Sequence, residues 1–288
     1  MKITNKIHAL KHTFFIPVNP KLKLERFVYS FVIFGKNNVY LVDSGVADSE
    51  NTIQNYIQKN GYSINNIKAL ILTHSHPDHI GSAKNIKEKS GCQVLAHEGE
   101  KEWIENIEKQ FSDRPVPGFK SFISKSVKID RLVKRNDHIK LEEDIALKVI
   151  HTPGHSKGSI SLLIENKGVL ICADCLLLPG NLPIYEDAVE AIHSINKLKE
   201  IKNIKWLLSS WDDPSSGNQI SINFNQSLSY FKAIHKSIVD IEKAEELSPI
   251  DLYKQVIEKM GLPSVAINPL VAKSFQSNIV NLDNPVLK

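Results

Sequence analysis

Apolar positions along the chain switch between two rhythms. From Phe27 to Val42, FVYSFVIFGKNNVYLV holds two runs rich in Val, Ile, Phe and Tyr around a Gly-Lys-Asn-Asn turn, which predicts a hairpin. Ser49 to Lys59 changes to helical spacing, with Ile53, Tyr56 and Ile57 on one face and Gly61 as its stop. The continuous run Ala69-Leu70-Ile71-Leu72 has the length of a buried strand. Ser82 to Lys89 returns to a helix with Ala83 and Ile86 inward and Gly91 closing it, and Cys92 to Ala96 predicts a short strand. Trp103, Ile104, Ile107 and Phe111 recur as a core-facing helical stripe, and the tract from Ser112 to Ser126, with Pro115, Pro117 and Gly118, reads as a loop. Strand-like runs then follow at Val127 to Ile129, Ile139 to Leu141, Ile145 to Ile150, Ile160 to Ile164 and Val169 to Ala173. Their polar and glycine boundaries are those of a largely antiparallel or mixed sheet.

Beyond these strands, Leu176 to Tyr185 is an apolar, Pro-containing loop, and Glu186 to Glu200 predicts a helix with Ala188, Ile192, Ile195 and Leu198 inward. A late strand, Ile204 to Ser210, runs into Trp211-Asp212-Asp213. From Ser221 the pattern changes: Phe224, Leu228, Phe231, Ile234, Ile238 and Ile241 keep steps of three and four, the mark of a long amphipathic helix. Ser248-Pro249 and Asn268-Pro269 each pair a capping side chain with a proline at the first helical position, predicting two more helices. The chain therefore divides into residues 1–220 and a helical appendage, 221–288, which covers a site, extends the core or makes a homodimer contact.

The candidate chemistry sits in KALILTHSHPDHIGS, Lys68 to Ser82. The apolar run ends in His74, His76, Asp78 and His79, packed around Pro77, which removes a backbone donor and resists helix there. Imidazole nitrogens with a carboxylate suit zinc, iron or manganese, and a short irregular loop can aim neighbouring side chains at one point. In the simplest reading His74 and His76 hold one ion while Asp78 and His79 face a second.

Composition narrows the classes. The 288 residues bury a substantial core, and 42% hydrophobic with 24% charged residues is ordinary for a globular chain. Thirty-six Lys and Arg against 32 Asp and Glu leave only +4, spread along the chain, which argues against a nucleic-acid surface. The N-terminus lacks the continuous apolar core of a signal peptide, and no stretch approaches a membrane span, so a cytoplasmic protein is the expectation. Cys92, Cys172 and Cys175 make no disulfide framework, and Cys172 and Cys175 read as small buried residues beside Asp174.

THSHPDHIG resembles the first signature of the metallo-β-lactamase-fold hydrolases, a family that includes glyoxalase II and lactonases. LVDSG, Leu41 to Gly45, is similar to the preceding strand and turn, HTPGHSKGS, His151 to Ser159, to the second signature, and CAD, Cys172 to Asp174, to the bridging-aspartate strand end. The resemblance implies an α+β fold, a four-layer αββα sandwich, here with the C-terminal helices added. It also implies a first site of His74, His76, His155 and Asp174, a second of Asp78, His79 and the bridging Asp174, and Asp43 as the brace of the metal loop. The chain departs from the pattern where the last family ligand, a histidine, is replaced by Trp211, since indole cannot ligate as imidazole does. Asp212, Asp213 or water fills that place, or Trp211 merely packs and the second ion binds weakly or not at all.

A metal held by neutral histidines and one carboxylate lowers the pKa of bound water to about 7, so a metal-bound hydroxide is available as nucleophile. Asp78 is the catalytic candidate, orienting that nucleophile or carrying a proton toward the leaving group. The expected function is metal-dependent hydrolysis of a small-molecule ester, thioester or lactone, with one or two zinc ions, or iron or manganese. The competing class is a non-hydrolytic metal-binding sensor or redox relative, kept open by Trp211.

Overall fold

A computed structural model describes residues 1–19, 22–116, 118–123, 125–262 and 269–288. Two six-stranded sheets carry the chain. The first runs in chain order, β1 (Ile7–Asn19), β2 (Leu22–Phe34), β3 (Val39–Val42), β4 (Ile67–Ile71), β5 (Gln93–His97) and β6 (Arg131–Val133), antiparallel up to β3 and parallel from β3 onward. The second contains β7 (His138–Glu142), β8 (Ile145–His151), β9 (Ile160–Ile164), β10 (Val169–Ala173), β11 (Trp206–Ser209) and β12 (Ser215–Ser216), with only the β10–β11 pair parallel. The helices are α1 (Ser49–Lys59), α2 (Pro77–Ile80), α3 (Ala83–Ser90), α4 (Lys101–Glu105), α5 (Ile107–Asp113), α6 (Phe119–Phe122), α7 (Ala188–Lys199), α8 (Asn218–Val239), α9 (Pro249–Lys259) and α10 (Pro269–Ile279).

The period-two alternation of side chains divides each strand between two cores. On β2, Phe31 and Ile33 join the cluster between the sheets, while Val32 and Phe34 join the one under α1 and α3 through Ile53, Ile57 and Ile86. On β10, Val169 and Ile171 face the other sheet, whereas Leu170 and Cys172 pack toward α7 to α10 through Ile195, Phe231, Val256 and Phe275. Full burial of each such side chain stabilises by roughly 1.5–3 kcal/mol, so both sheet faces need a cover. The result is the four-layer αββα sandwich of the α+β class, and the helices after residue 221 share one apolar cluster with α7 and the second sheet. Among the described residues no helix is long and apolar enough to cross a membrane.

Several expectations are corrected. Pro77 opens α2 at its first position, where its missing N–H has no partner to lose and its fixed φ suits a helix. The stripe from Trp103 to Phe111 is two helices, because the Asn106 side chain accepts from Lys109 N and caps a new start; Ile104 and Ile107 are buried but Phe111 is exposed. Val127 and Ile129 are buried without forming a strand: Val127 N donates to Ile104 O at a helix end, and the ladder begins at Arg131. The tract from Ser112 to Ser126 contains α6. Strand β1 had no sequence expectation, since His12 occupies one of its inward positions and breaks the apolar rhythm. Asn268 lies outside the described residues.

Candidate metal centre

Every candidate ligand leaves the sheets at one edge. β3 leads directly into Asp43, β4 through Leu72 into Thr73-His74, β8 through Pro153-Gly154 to His155, and β10 delivers Asp174. Asp43 (φ 60) and Ala173 (φ 46) adopt the left-handed region, which costs a non-glycine residue roughly 1–3 kcal/mol and clusters at functional sites. Gly154 (φ 127) is required: a Cβ there would lie 2.4 Å from Ala191 Cα, so α7 packs directly on the turn that presents His155.

The two oxygens of Asp174 face different partners. Oδ2 lies 3.3 Å from His155 Nε2 and 3.8 Å from His74 Nε2. Oδ1 lies 3.3 Å from His79 Nε2, which in turn lies 3.6 Å from Asp78 Oδ2. His76 Nδ1 is 2.8 Å from His155 Nε2, and one donor atom from each of His74, His76, His155 and Asp174 falls within 4.8 Å of the others. The structure thus brings these four together, with Asp78 and His79 beside them. Five side-chain atoms here, His74 Nε2, His76 Nε2, Asp78 Oδ2, His79 Nε2 and Asp174 Oδ1, are buried without a hydrogen-bond partner among the described residues. Each such atom costs roughly 1–3 kcal/mol, so five converging lone-pair donors fit a bound cation that would engage them. The mixed imidazole and carboxylate set is that of a divalent transition metal.

Electrostatics separate the same two faces. Burial holds His74 and His76 well below the ordinary histidine range and His155 at about 4, so all three are neutral, the form that ligates. Burial also opposes charge on His79, but Asp174, Asp78 and Asp43 outweigh it and raise its pKa well above the ordinary value. Burial raises Asp78, whereas His79 and His155 overcome burial at Asp174 and lower it.

Backbone and side-chain contacts aim the rings. Asp43 Oδ2 accepts from His79 Nδ1 at 2.8 Å and from Thr73 Oγ1 at 2.7 Å, and its Oδ1 accepts from Thr73 N, so one buried carboxylate fixes both the strand end and the ring. His155 Nδ1 donates to Ile184 O at 2.8 Å, leaving Nε2 inward. Glu100 has the comparable task between loops: Oε2 accepts from Ser75 N and Oγ, and Oε1 from Ser156 Oγ and Gly158 N. Nothing in the surrounding sequence marks Glu100, because its partners come from segments 25 to 58 residues away.

At the departure from the family pattern, Trp211 Nε1 donates to Asp174 Oδ2 at 3.0 Å, and its ring packs edge-on against Phe14. Neither proposed replacement is among the four converging residues. Asp212 accepts from Asn181 Nδ2 and Ser209 Oγ, and Asp213 accepts from Tyr29 O–H with its side chain 80% exposed. Both carboxylates are drawn away by donors that the sequence pattern did not reveal.

The cavity in front of Asp174 is lined by His76, Asp78 and His155, by Leu176, Leu177, Leu182 and Ile184 of the loop after β10, and by Trp211. Arg114, Val116 and Phe122 border it from the tract before β6, and Leu270 from α10. Tyr185 is buried, its O–H donating to Asn278 Oδ1, and His97 stacks on His151 at 4.4 Å.

A profile described as the metallo-beta-lactamase superfamily matches residues 24–221. A protein described as a probable metallo-hydrolase from Methanocaldococcus jannaschii is 30% identical over 192 residues, covering 63% of this chain and 86% of that one. A hydroxyacylglutathione hydrolase from Brucella ovis is 24% identical over 261 residues, covering 88% and 86%. Three other relatives are matched over only 52–57% of their own lengths. Among solved structures, a metallo-beta-lactamase family protein from Thermus thermophilus superposes with a TM-score of 0.70 at 17% identity, covering 94% of this chain and 92% of that one. A beta-lactamase domain protein from Burkholderia ambifaria gives 0.71 at 15% identity, covering 98% and 87%.

Proposed function

The chain belongs to the metallo-beta-lactamase superfamily, and from that membership we propose a metal-dependent hydrolase whose substrate is a small ester, thioester or lactone. The carrying observation is the set of five unpartnered donor atoms distributed about the two oxygens of Asp174. In this reading His74, His76, His155 and Asp174 hold a first zinc ion tightly, and Asp78, His79 and Asp174 hold a second more weakly. When bound, the metal supplies a water acidified to a pKa of about 7 and positive charge for a developing oxyanion.

The protein's own groups do the rest. Asp78 faces the cavity with a free buried oxygen, positioned to orient water and to pass its proton to the departing alcohol or thiol. Hydrolysis then breaks the acyl C–O or C–S bond, puts water's oxygen on the acyl carbon and returns a proton to the leaving group. Asp43 holds His79 in place throughout. The apolar wall from Leu176 to Ile184 excludes water and suits the carbon body of an acyl compound. A thioester is supported further by the relative from Brucella ovis, which is described as a hydroxyacylglutathione hydrolase.

One observation favours a second reading. The Trp211 indole occupies a lone pair of Asp174 Oδ2, a shared metal-ligand oxygen, as would suit a non-hydrolytic metal-binding protein. Assay of zinc-loaded protein on thioester, lactone and phosphodiester panels separates the two. Turnover of a thioester or lactone that disappears in His76→Ala supports hydrolysis. No turnover on any panel, with metal still lost in His76→Ala, supports the second reading.

A further inference from the structure

The cavity carries a positive charge that the proposed chemistry does not use. Arg114 is 8% exposed and lines the cavity beside His76, Asp78, His155 and Asp174. Its guanidinium makes no hydrogen bond or ion pair among the described residues, although Arg offers five donors in a fork shaped for carboxylates. Burial lowers its pKa to about 10, against the pull of Glu186, Asp78, Glu100 and Asp174, so it stays charged at neutral pH. Those four carboxylates are engaged elsewhere or lie beyond pairing distance. Glu100 accepts from Ser75, Ser156 and Gly158, Asp78 and Asp174 face the imidazoles, and Glu186 is pushed toward its neutral form by burial and by Glu100.

A second guanidinium, Arg26, lines the same cavity, where its only side-chain hydrogen bond among the described residues is a long one, 3.4 Å, to Glu25 O. Two arginines thus face two aspartates, and a single divalent ion held by those aspartates would leave the cavity with an excess of positive charge. Much of the remaining wall is apolar, including Phe14, Ile16, Val116, Leu177 and Leu182. Such a pocket discriminates in favour of a ligand with an anionic end and a hydrocarbon body, because a buried unpaired guanidinium penalises a neutral one.

We infer that the substrate is an acyl compound bearing a second, free carboxylate, which Arg114 binds while the apolar chain lies along the wall and the scissile carbonyl meets the metal centre. The inference rests on the hydrolase reading for its reaction and on Arg114 alone for its selectivity. Arg114 is a substrate-binding residue here and takes no part in bond breaking.

The test compares two thioesters of equal length, the adipoyl thioester with its free carboxylate and the adipamoyl thioester with a terminal amide, on zinc-loaded protein. The wild type is expected to favour the carboxylate by about 10- to 100-fold in kcat/KM, the scale of a charged hydrogen bond. Arg114→Gln should abolish that preference chiefly through a raised KM for the carboxylate thioester, and Arg114→Lys should restore part of it. Equal kcat/KM for the two thioesters in the wild type, or a preference untouched in Arg114→Gln, overturns the inference and leaves the hydrolase reading standing. If Arg114→Gln does not fold, the wild-type preference and its reduction in Arg114→Lys decide. If no thioester turns over, calorimetric binding of adipate against adipamide decides the inference. Tighter adipate binding supports it, and equal binding overturns it.

Discussion

The two faces of the Asp174 carboxylate are assembled from different distances. On the Oδ2 face, His74 and His76 arrive from the first sheet and His155 from the second, and burial keeps all three imidazoles neutral. On the Oδ1 face, Asp78 and His79 come from the single turn of α2, and the carboxylates around His79 raise its pKa. One face therefore depends on the two sheets docking; the other depends on a local turn and on Asp43 behind it. The difference teaches that a shared carboxylate can join a site built by the tertiary fold to one built almost within the sequence.

The largest expected effect removes what the faces share. Asp174→Ala should abolish retained zinc and lower hydrolysis by more than the ~10- to 100-fold that loss of an outer partner costs, as read by metal analysis and kcat/KM. Retention of full zinc by that variant would erase the distinction. Next, Asp43→Ala removes the brace behind His79 and the Thr73-His74 strand end: it strands Thr73 N and His79 Nδ1 in the interior, and should cost about 3–5 kcal/mol in urea unfolding of the metal-stripped protein. Zinc affinity should fall chiefly for the weaker ion, which a titration with a chromophoric chelator resolves.

Acid separates the faces from the rest of the molecule. His12, buried against Ser30, is lowered by burial to about 4, while in the unfolded chain it titrates near 6.5. The unfolded state then binds more protons between those values, so stability falls as pH drops from about 6.5 to 4, by roughly 3 kcal/mol from this group. The His155 contribution has the same sign and range, since burial also holds it at about 4. Zinc, by keeping His155 unprotonated in the folded state, should extend the His155 part of the loss to lower pH and leave the His12 part, which His12→Gln should flatten in urea midpoints measured across that range. The smallest effect concerns Trp211. Trp211→Phe keeps the ring against Phe14 but deletes the bond to Asp174, and should change kcat/KM by less than about 10-fold. Trp211→His should tighten the second zinc toward two per chain by metal analysis.

The sequence exposed the local parts of this architecture better than the distant ones. α1 occupies Ser49 to Lys59 and β9 occupies Ile160 to Ile164 as their spacing predicts, because each is governed by its own apolar rhythm. The αββα layering followed from the family resemblance and is borne out by the two alternating faces of each strand. Strand β1 was hidden by polar residues, buried His12 among them, and the break at Asn106 by a capping side chain inside an otherwise helical stripe. Glu100 and Arg114 were invisible for a different reason: single charged residues in ordinary surroundings acquire meaning only from what the fold places around them.

The most direct test is titration of metal-stripped protein with zinc while thioester hydrolysis is followed. The account predicts no turnover without zinc and activity rising with the first ion bound per chain, with His155→Ala inert over the same range. Hydrolysis at an equal rate in the stripped and the loaded protein would contradict it.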